Sequence, residues 1–136
     1  MNTGRFVGAA VAVFVVRTLL NSLVYGYLLH GQYEAISSAH PGLMREVIPA
    51  FIVLDLITAV LIVYLVVKAG AAFGGGIKGG VVLGVLVAIL SPIIGGLYNF
   101  FSVTYYSANL VAIEAVYQIV AHAIQGALAA ALYKAA

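Results

Sequence analysis

Arg17, Asp55, Glu114 and His122 stand inside stretches of sequence that are otherwise apolar. An ionisable side chain at the middle of hydrocarbon costs about 2.5–3.5 kcal/mol on insertion scales, so such groups face protein or water and are functional candidates by default. The last apolar stretch spaces Glu114, Gln118, His122 and Gln125 by four, four and three, which sets them on one face of a helix. The first gathers Arg17, Thr18, Asn21 and Ser22 over about one turn. Two such stripes facing each other would line a hydrated path or bind a polar headgroup. The plainer reading is interhelical hydrogen bonding that holds a bundle together, worth about 0.6 kcal/mol per contact. Arg17 and Asp55 fall near the centres of adjacent stretches, so the sequence predicts a salt bridge that offsets much of the desolvation cost of both. Glu114 falls nearer one end of its stretch, within reach of water or of the same guanidinium.

Other chemistry is poorly provided for. His122 lacks the companion ligands that metal and haem sites need, so it reads as a buried, hydrogen-bonded histidine, and neither metal nor cofactor is expected. His30 and Glu34 share a face only if their stretch is helical, and two groups make a weak metal site. The glycine-rich segment 74–80 fails as a phosphate loop, because Lys78 is followed by Gly79 rather than Ser or Thr and no strand precedes it. It reads as a turn running into a packing seam. Gly80, Gly84 and Ala88 repeat small residues every four positions, as do Gly4, Gly8 and Ala12, and such seams let helices approach closely. No Ser–His–Asp order, paired-carboxylate centre or His-Glu-x-x-His is present, so no catalytic residue is assigned.

The elements that must position these groups are long apolar helices. Hydrophobic residues make up 65% of the 136 and charged residues 7%, with a mean hydropathy of +1.17. A soluble domain carries about 45–50% apolar and about 25% charged residues, so this chain has too few charges to cover a water-facing surface. The runs 6–29, 47–67, 81–101 and 110–133 are each long enough to cross a hydrocarbon core of about 30 Å at about 1.5 Å per residue. They are continuously apolar, which excludes the alternation of a β-barrel. Arg5 before the first run resembles the start of a signal peptide, but Arg17 interrupts the run and apolar sequence continues past it, so a retained span is expected. Pro49 falls in a first turn, where proline is tolerated, whereas Pro92 falls mid-run and predicts a kink.

The fold class expected is therefore all-α: a single transmembrane domain over residues 1–136, a bundle of four helices. Placing the N-terminus inside puts Arg5, Lys68, Lys78 and Lys134 on the cytoplasmic side and Arg45 alone outside, the N-in, C-in arrangement. The 33–46 loop and the tyrosines Tyr98, Tyr105 and Tyr106 then lie outside. Tryptophan is absent, so interface anchoring falls to tyrosine. Cysteine is absent too, which removes disulfides and thiolate chemistry. The net charge of +2 comes without any Lys/Arg cluster, so no nucleic-acid partner is expected.

In its hydropathy pattern and glycine-rich middle turn the whole chain resembles the small, uncharacterised four-helix inner-membrane proteins of bacteria. The resemblance implies a multi-pass protein of the bacterial inner membrane and carries over no functional residue. The leading expectation is a non-enzymatic protein acting by association in the lipid bilayer, as an accessory subunit of a membrane complex or a homo-oligomer. A small transporter or channel with Arg17, Asp55, Glu114 and His122 along its path is the alternative. An intramembrane enzyme acting on lipid or quinone is third.

Overall fold

In an apolar solvent every backbone amide must be satisfied within its own segment, which the α-helix does for continuous apolar runs such as these. The computed structural model describes residues 2–43 and 48–133. Helix α1 spans Thr3–Leu23, opened by Asn2, whose side chain accepts from the Arg5 amide at 3.1 Å. It widens into a π-helical turn at Val24–Leu28 and stops at Leu29, whose amide returns to the Val24 carbonyl at 2.7 Å. A short helix α2, His30–Ala39, follows. Helix α3 covers Ile48–Ala69 and tightens into a 3-10 turn at Gly70–Phe73. Helix α4, Gly76–Ala88, opens into a π-helical turn at Ile89–Ile93 and continues as α5, Ile94–Ser102. Helix α6 runs Ala108–Leu132, its N-terminus capped by Ser107 accepting from the Leu110 amide at 3.1 Å.

Four helical stretches, Thr3–Leu28, Ile48–Phe73, Gly76–Ser102 and Ala108–Leu132, are long and apolar enough to cross a membrane, the pattern of a multi-pass membrane protein. No strand occurs among the described residues. Two segments differ from the sequence reading. The polar stretch after the first run is expected as a loop, yet α2 forms there, because Tyr33 and Ile36 pack on the buried cluster of Val24, Leu29 and Leu110. The glycine-rich turn is also shorter than expected. Gly74, Gly75 and Gly76 take the left-handed φ values of 102°, 68° and 50° that reverse the chain, and α4 has already begun by Gly76. Pro92 is accommodated by the π-helical turn: with no amide to give the preceding turn, the local helix widens, and the Ile94 amide reaches back to the Ile89 carbonyl. Arg45 and Lys134, used in the orientation argument, lie outside the described residues.

Helix α1 packs on α3 and α6, and α6 packs most extensively on α4. The α4–α6 seam is made by glycines: a Cβ on Gly80 would collide with the Gly126 carbonyl, and one on Gly84 with the His122 carbonyl. Gly4 and Gly8 lie instead on an exposed face of α1, and a Cβ at Gly8 would meet nothing within 4 Å. The Asn2 amide donates to the Tyr133 hydroxyl at 3.1 Å, so the two ends of the described chain share one end of the bundle. The larger apolar core lies toward that end, around Ala9, Val13, Ile62, Val63 and Ala129. The smaller cluster with Leu110 lies toward the other, and a polar layer separates the two. Outward faces are apolar, as at Leu19 and Val116, both 65% exposed, while Asp55, His122 and Gln125 are buried inside.

Candidate functional site

The polar layer is drawn from three helices. Arg17 and Asn21 are one turn apart on α1 and point at α3, where Asp55 is held among apolar neighbours. Arg17 Nε donates to Asp55 Oδ1 at 2.7 Å. Asn21 Nδ2 donates to the same oxygen at 2.9 Å and to Oδ2 at 3.2 Å, and the Thr18 hydroxyl reaches Oδ2 at 3.5 Å. The carboxylate thus has donors on both oxygens, the condition under which an ion pair in a low-dielectric layer recovers its desolvation cost.

Helix α6 closes the guanidinium from the other side. Arg17 Nη1 stands 3.4 Å from Gln125 Oε1 and 3.4 Å from His122 Nε2. His122 Nδ1 lies 2.9 Å from the Gln118 carbonyl oxygen, which can only accept. The proton therefore belongs on Nδ1, leaving Nε2 to accept from Arg17. One tautomer satisfies both contacts. The Tyr117 hydroxyl donates to Asn21 Oδ1 at 2.6 Å, completing the asparagine. Among the described residues no buried side-chain nitrogen or oxygen lacks a partner. This tier is charge-neutral and closed, and it holds α1, α3 and α6 together.

A second tier opens above it, toward α2. Gln118 links the two, since its Nε2 donates to the Tyr25 hydroxyl at 2.9 Å. The Tyr25 ring meets Tyr117 edge-on at 5.7 Å between centroids and Tyr33 at 5.9 Å. The Tyr33 hydroxyl donates to Glu114 Oε1. These groups border a cavity of about 300 Å³ whose far wall is the broken third helical stretch: Pro92, Ile93, Gly95, Gly96, Leu97 and Asn99, with Tyr106 of the connection to α6 also in its lining. Burial raises the Tyr33 hydroxyl above the ordinary tyrosine range, and its bond to Glu114 and that carboxyl's charge push the same way. Tyr106 is raised too, by burial first and then by Tyr105 and Glu114.

Comparison with protein-family models, curated proteins and solved structures finds no match. The site is therefore read on its own geometry. Arg17, Asn21, Asp55, His122 and Gln125 come together in the closed tier, and Gln118 joins it to the open one. Glu114 takes Tyr33 as its partner rather than Arg17. Ser22, grouped by sequence with Arg17, is exposed on the other side of α1. His30 and Glu34 do share a helical face, 3.8 Å apart and well exposed. Among the described residues no three His, Asp or Glu side chains gather as metal ligands.

Sequence reasoning missed the tyrosines. Tyr25 follows Arg17 and Asn21 at successive spacings of four, so its place on the inward face was readable. Tyr33 was hidden because its segment read as loop. Tyr117 lies between two members of the α6 stripe and carried no separate signal.

Proposed function

We propose that this chain is a small membrane protein of transporter or channel type, working through a polar path inside its bundle. The observation that supports this reading is the cavity bordered by Glu114 and Gln118, with Gln118 hydrogen-bonded on one side to Tyr25 of the cavity wall and on the other to His122 of the Arg17–Asp55 tier. A carboxyl beside a void forfeits both packing and full solvation, a cost that a purely structural bundle avoids by closing over the site. The orientation that goes with this reading is N-in, C-in, in a bacterial inner membrane. Arg5, Lys68 and Lys78 all belong to the end where Asn2 meets Tyr133, and basic residues favour the cytoplasmic side. The cavity then belongs to the outer half of the bilayer.

Cysteine scanning tests the path without background, since the chain has no cysteine of its own. Ala115 lines the cavity, while Ala121 is buried beside the closed tier at 2% exposure. In intact cells a membrane-impermeant maleimide is expected to label Ala115→Cys from outside and to spare Ala121→Cys. An Ala115→Cys protein that resists labelling from both sides defeats the reading.

Association is the second reading, favoured by the exposed Gly4–Gly8 face of α1. The small seam of α4 is already filled by α6, so α1 is the helix left to receive a second copy or another membrane subunit. The mass of the particle in mild detergent tests it, and a bare monomer argues against it.

A further inference from the structure

Resting on that cavity reading, we propose that the cavity takes a small organic cation, an alkyl-substituted ammonium held between the Glu114 carboxylate and the rings of Tyr25, Tyr33 and Tyr106. Charge is the first argument. Among the described residues, Glu114 is the one acidic group in the lining and none of the others is Lys, Arg or His. The nearest buried cation, Arg17, is committed to Asp55 at 2.7 Å in the tier below. A bound anion would meet a carboxylate with nothing to compensate it, whereas a bound cation supplies the charge that Glu114 lacks.

The walls make the second argument. The face of an aromatic ring attracts a cation, and several rings at angles to one another form the cage that recognises quaternary ammonium groups. Tyr25 and Tyr33 are tilted by 58° at 5.9 Å, an angled wall rather than a stack, and Tyr106 stands at the same mouth. The Tyr33 hydroxyl occupies one oxygen of Glu114, but an ionised carboxylate accepts about four hydrogen bonds, so capacity remains. Opposite, Pro92 and Leu97 offer apolar surface to alkyl groups. A Cβ at Gly95 or Gly96 would meet nothing within 4 Å, so the space there is open. A volume of about 300 Å³ is at the small end of ligand pockets, which limits the guest to a few carbons around the charge.

The test uses the full chain in detergent and reads tyrosine emission, which no tryptophan obscures. Two probes of one shape separate charge from fit: choline chloride, and its neutral isostere 3,3-dimethylbutan-1-ol. Choline is expected to change the emission saturably, with the isostere about tenfold weaker or worse. Glu114→Gln is expected to remove the choline response. Should Glu114→Gln fail to fold, Ala115→Leu, which adds bulk to the lining and keeps the carboxyl, must remove it instead. Equal binding of the two probes overturns the cation assignment. Choline binding that survives both substitutions overturns it as well, because the site would then lie elsewhere. Absence of any choline response overturns it too. Labelling of Ala115→Cys then decides the parent reading: a labelled cysteine leaves a hydrated cavity with another guest, and an unlabelled one removes both proposals.

Discussion

Replacing Asp55 by leucine strands the Arg17 guanidinium between helices whose outer faces are apolar. What remains to Arg17 is Gln125 and His122, both at 3.4 Å and neither charged in the tautomer that the geometry requires. The Arg17 and Asp55 side chains are 15% and 12% exposed, so solvent cannot substitute for the lost partner. Breaking a buried pair by removing one member costs about 3–5 kcal/mol, and Asp55→Leu belongs in that range. Arg17→Leu is milder, because Asn21 still donates to both carboxylate oxygens and Thr18 to one. The double change removes both charges at once. It should be less damaging than the sum of the singles by about 2–3 kcal/mol, and less damaging than Asp55→Leu alone. At about 3 °C per kcal/mol for a chain of this size, Asp55→Leu lowers the detergent Tm by about 9–15 °C. The coupling then appears as a double mutant about 6–9 °C more stable than additivity allows. The assay is thermal melting of the wild type, both singles and the double in one detergent. Effects that add to within about 0.5 kcal/mol would mean that the two residues do not share their energy, whatever their distance.

Reporter fusions after Gly75 and at the C-terminus should read cytoplasmic and one near Ser38 external; a cytoplasmic Ser38 reporter overturns the orientation. Gly84→Val should lower stability by about 1–3 kcal/mol or more, because the new side chain meets the His122 backbone, whereas Gly8→Val on the open face should stay within about 0.5 kcal/mol. Equal melting temperatures for those two variants would dispose of the α4–α6 seam. The raised Tyr33 hydroxyl favours folding in its protonated form, so its contribution is complete below about pH 10 and declines as pH climbs above that toward the folded value. An alkaline absorbance titration checks this: Tyr33→Phe should remove a late-ionising component, and an unchanged curve refutes the assignment.

The helices were legible because a bilayer-length apolar run leaves the backbone one economical conformation. The Arg17–Asp55 contact was legible for a related reason: two opposite charges at equal depth on neighbouring helices have few other ways to recover their desolvation cost. The α6 stripe was readable as a face but not as two tiers. Spacing alone does not say that Glu114 turns to Tyr33 while His122 turns to Arg17, since that depends on which helix lies opposite at each level. The fate of the small-residue seams was equally hidden. Gly4–Gly8 and Gly80–Gly84 have the same pattern, yet Gly80 and Gly84 meet Gly126 and His122 of α6 whereas Gly8 meets nothing.

The two π-helical turns bear on why the bundle is tight at one level and open at another. One is Val24–Leu28 and the other Ile89–Ile93, on the first and third spans. Both supply the cavity: Tyr25 belongs to the first, Pro92 and Ile93 to the second. A π-helical turn inserts one residue and shifts everything beyond it around the helix axis, and such turns recur at functional sites. Below them, α1 and α4 are regular and close on α6, α4 through glycine contacts and α1 through the hydrogen bonds of Arg17 and Asn21. Beyond them, the third span carries Gly95 and Gly96, which put no side chain into the gap, while the first ends at Leu29 and hands over to α2, which brings Tyr33 onto Glu114. Pro92 gives the second turn a local cause. The first contains no proline and is sustained by its surroundings, with Val24 buried and Tyr25 tied to Gln118. The cavity is thus a product of where two helices depart from regularity, and the carboxyl it exposes lies beyond the level at which glycines of the third span touch α6.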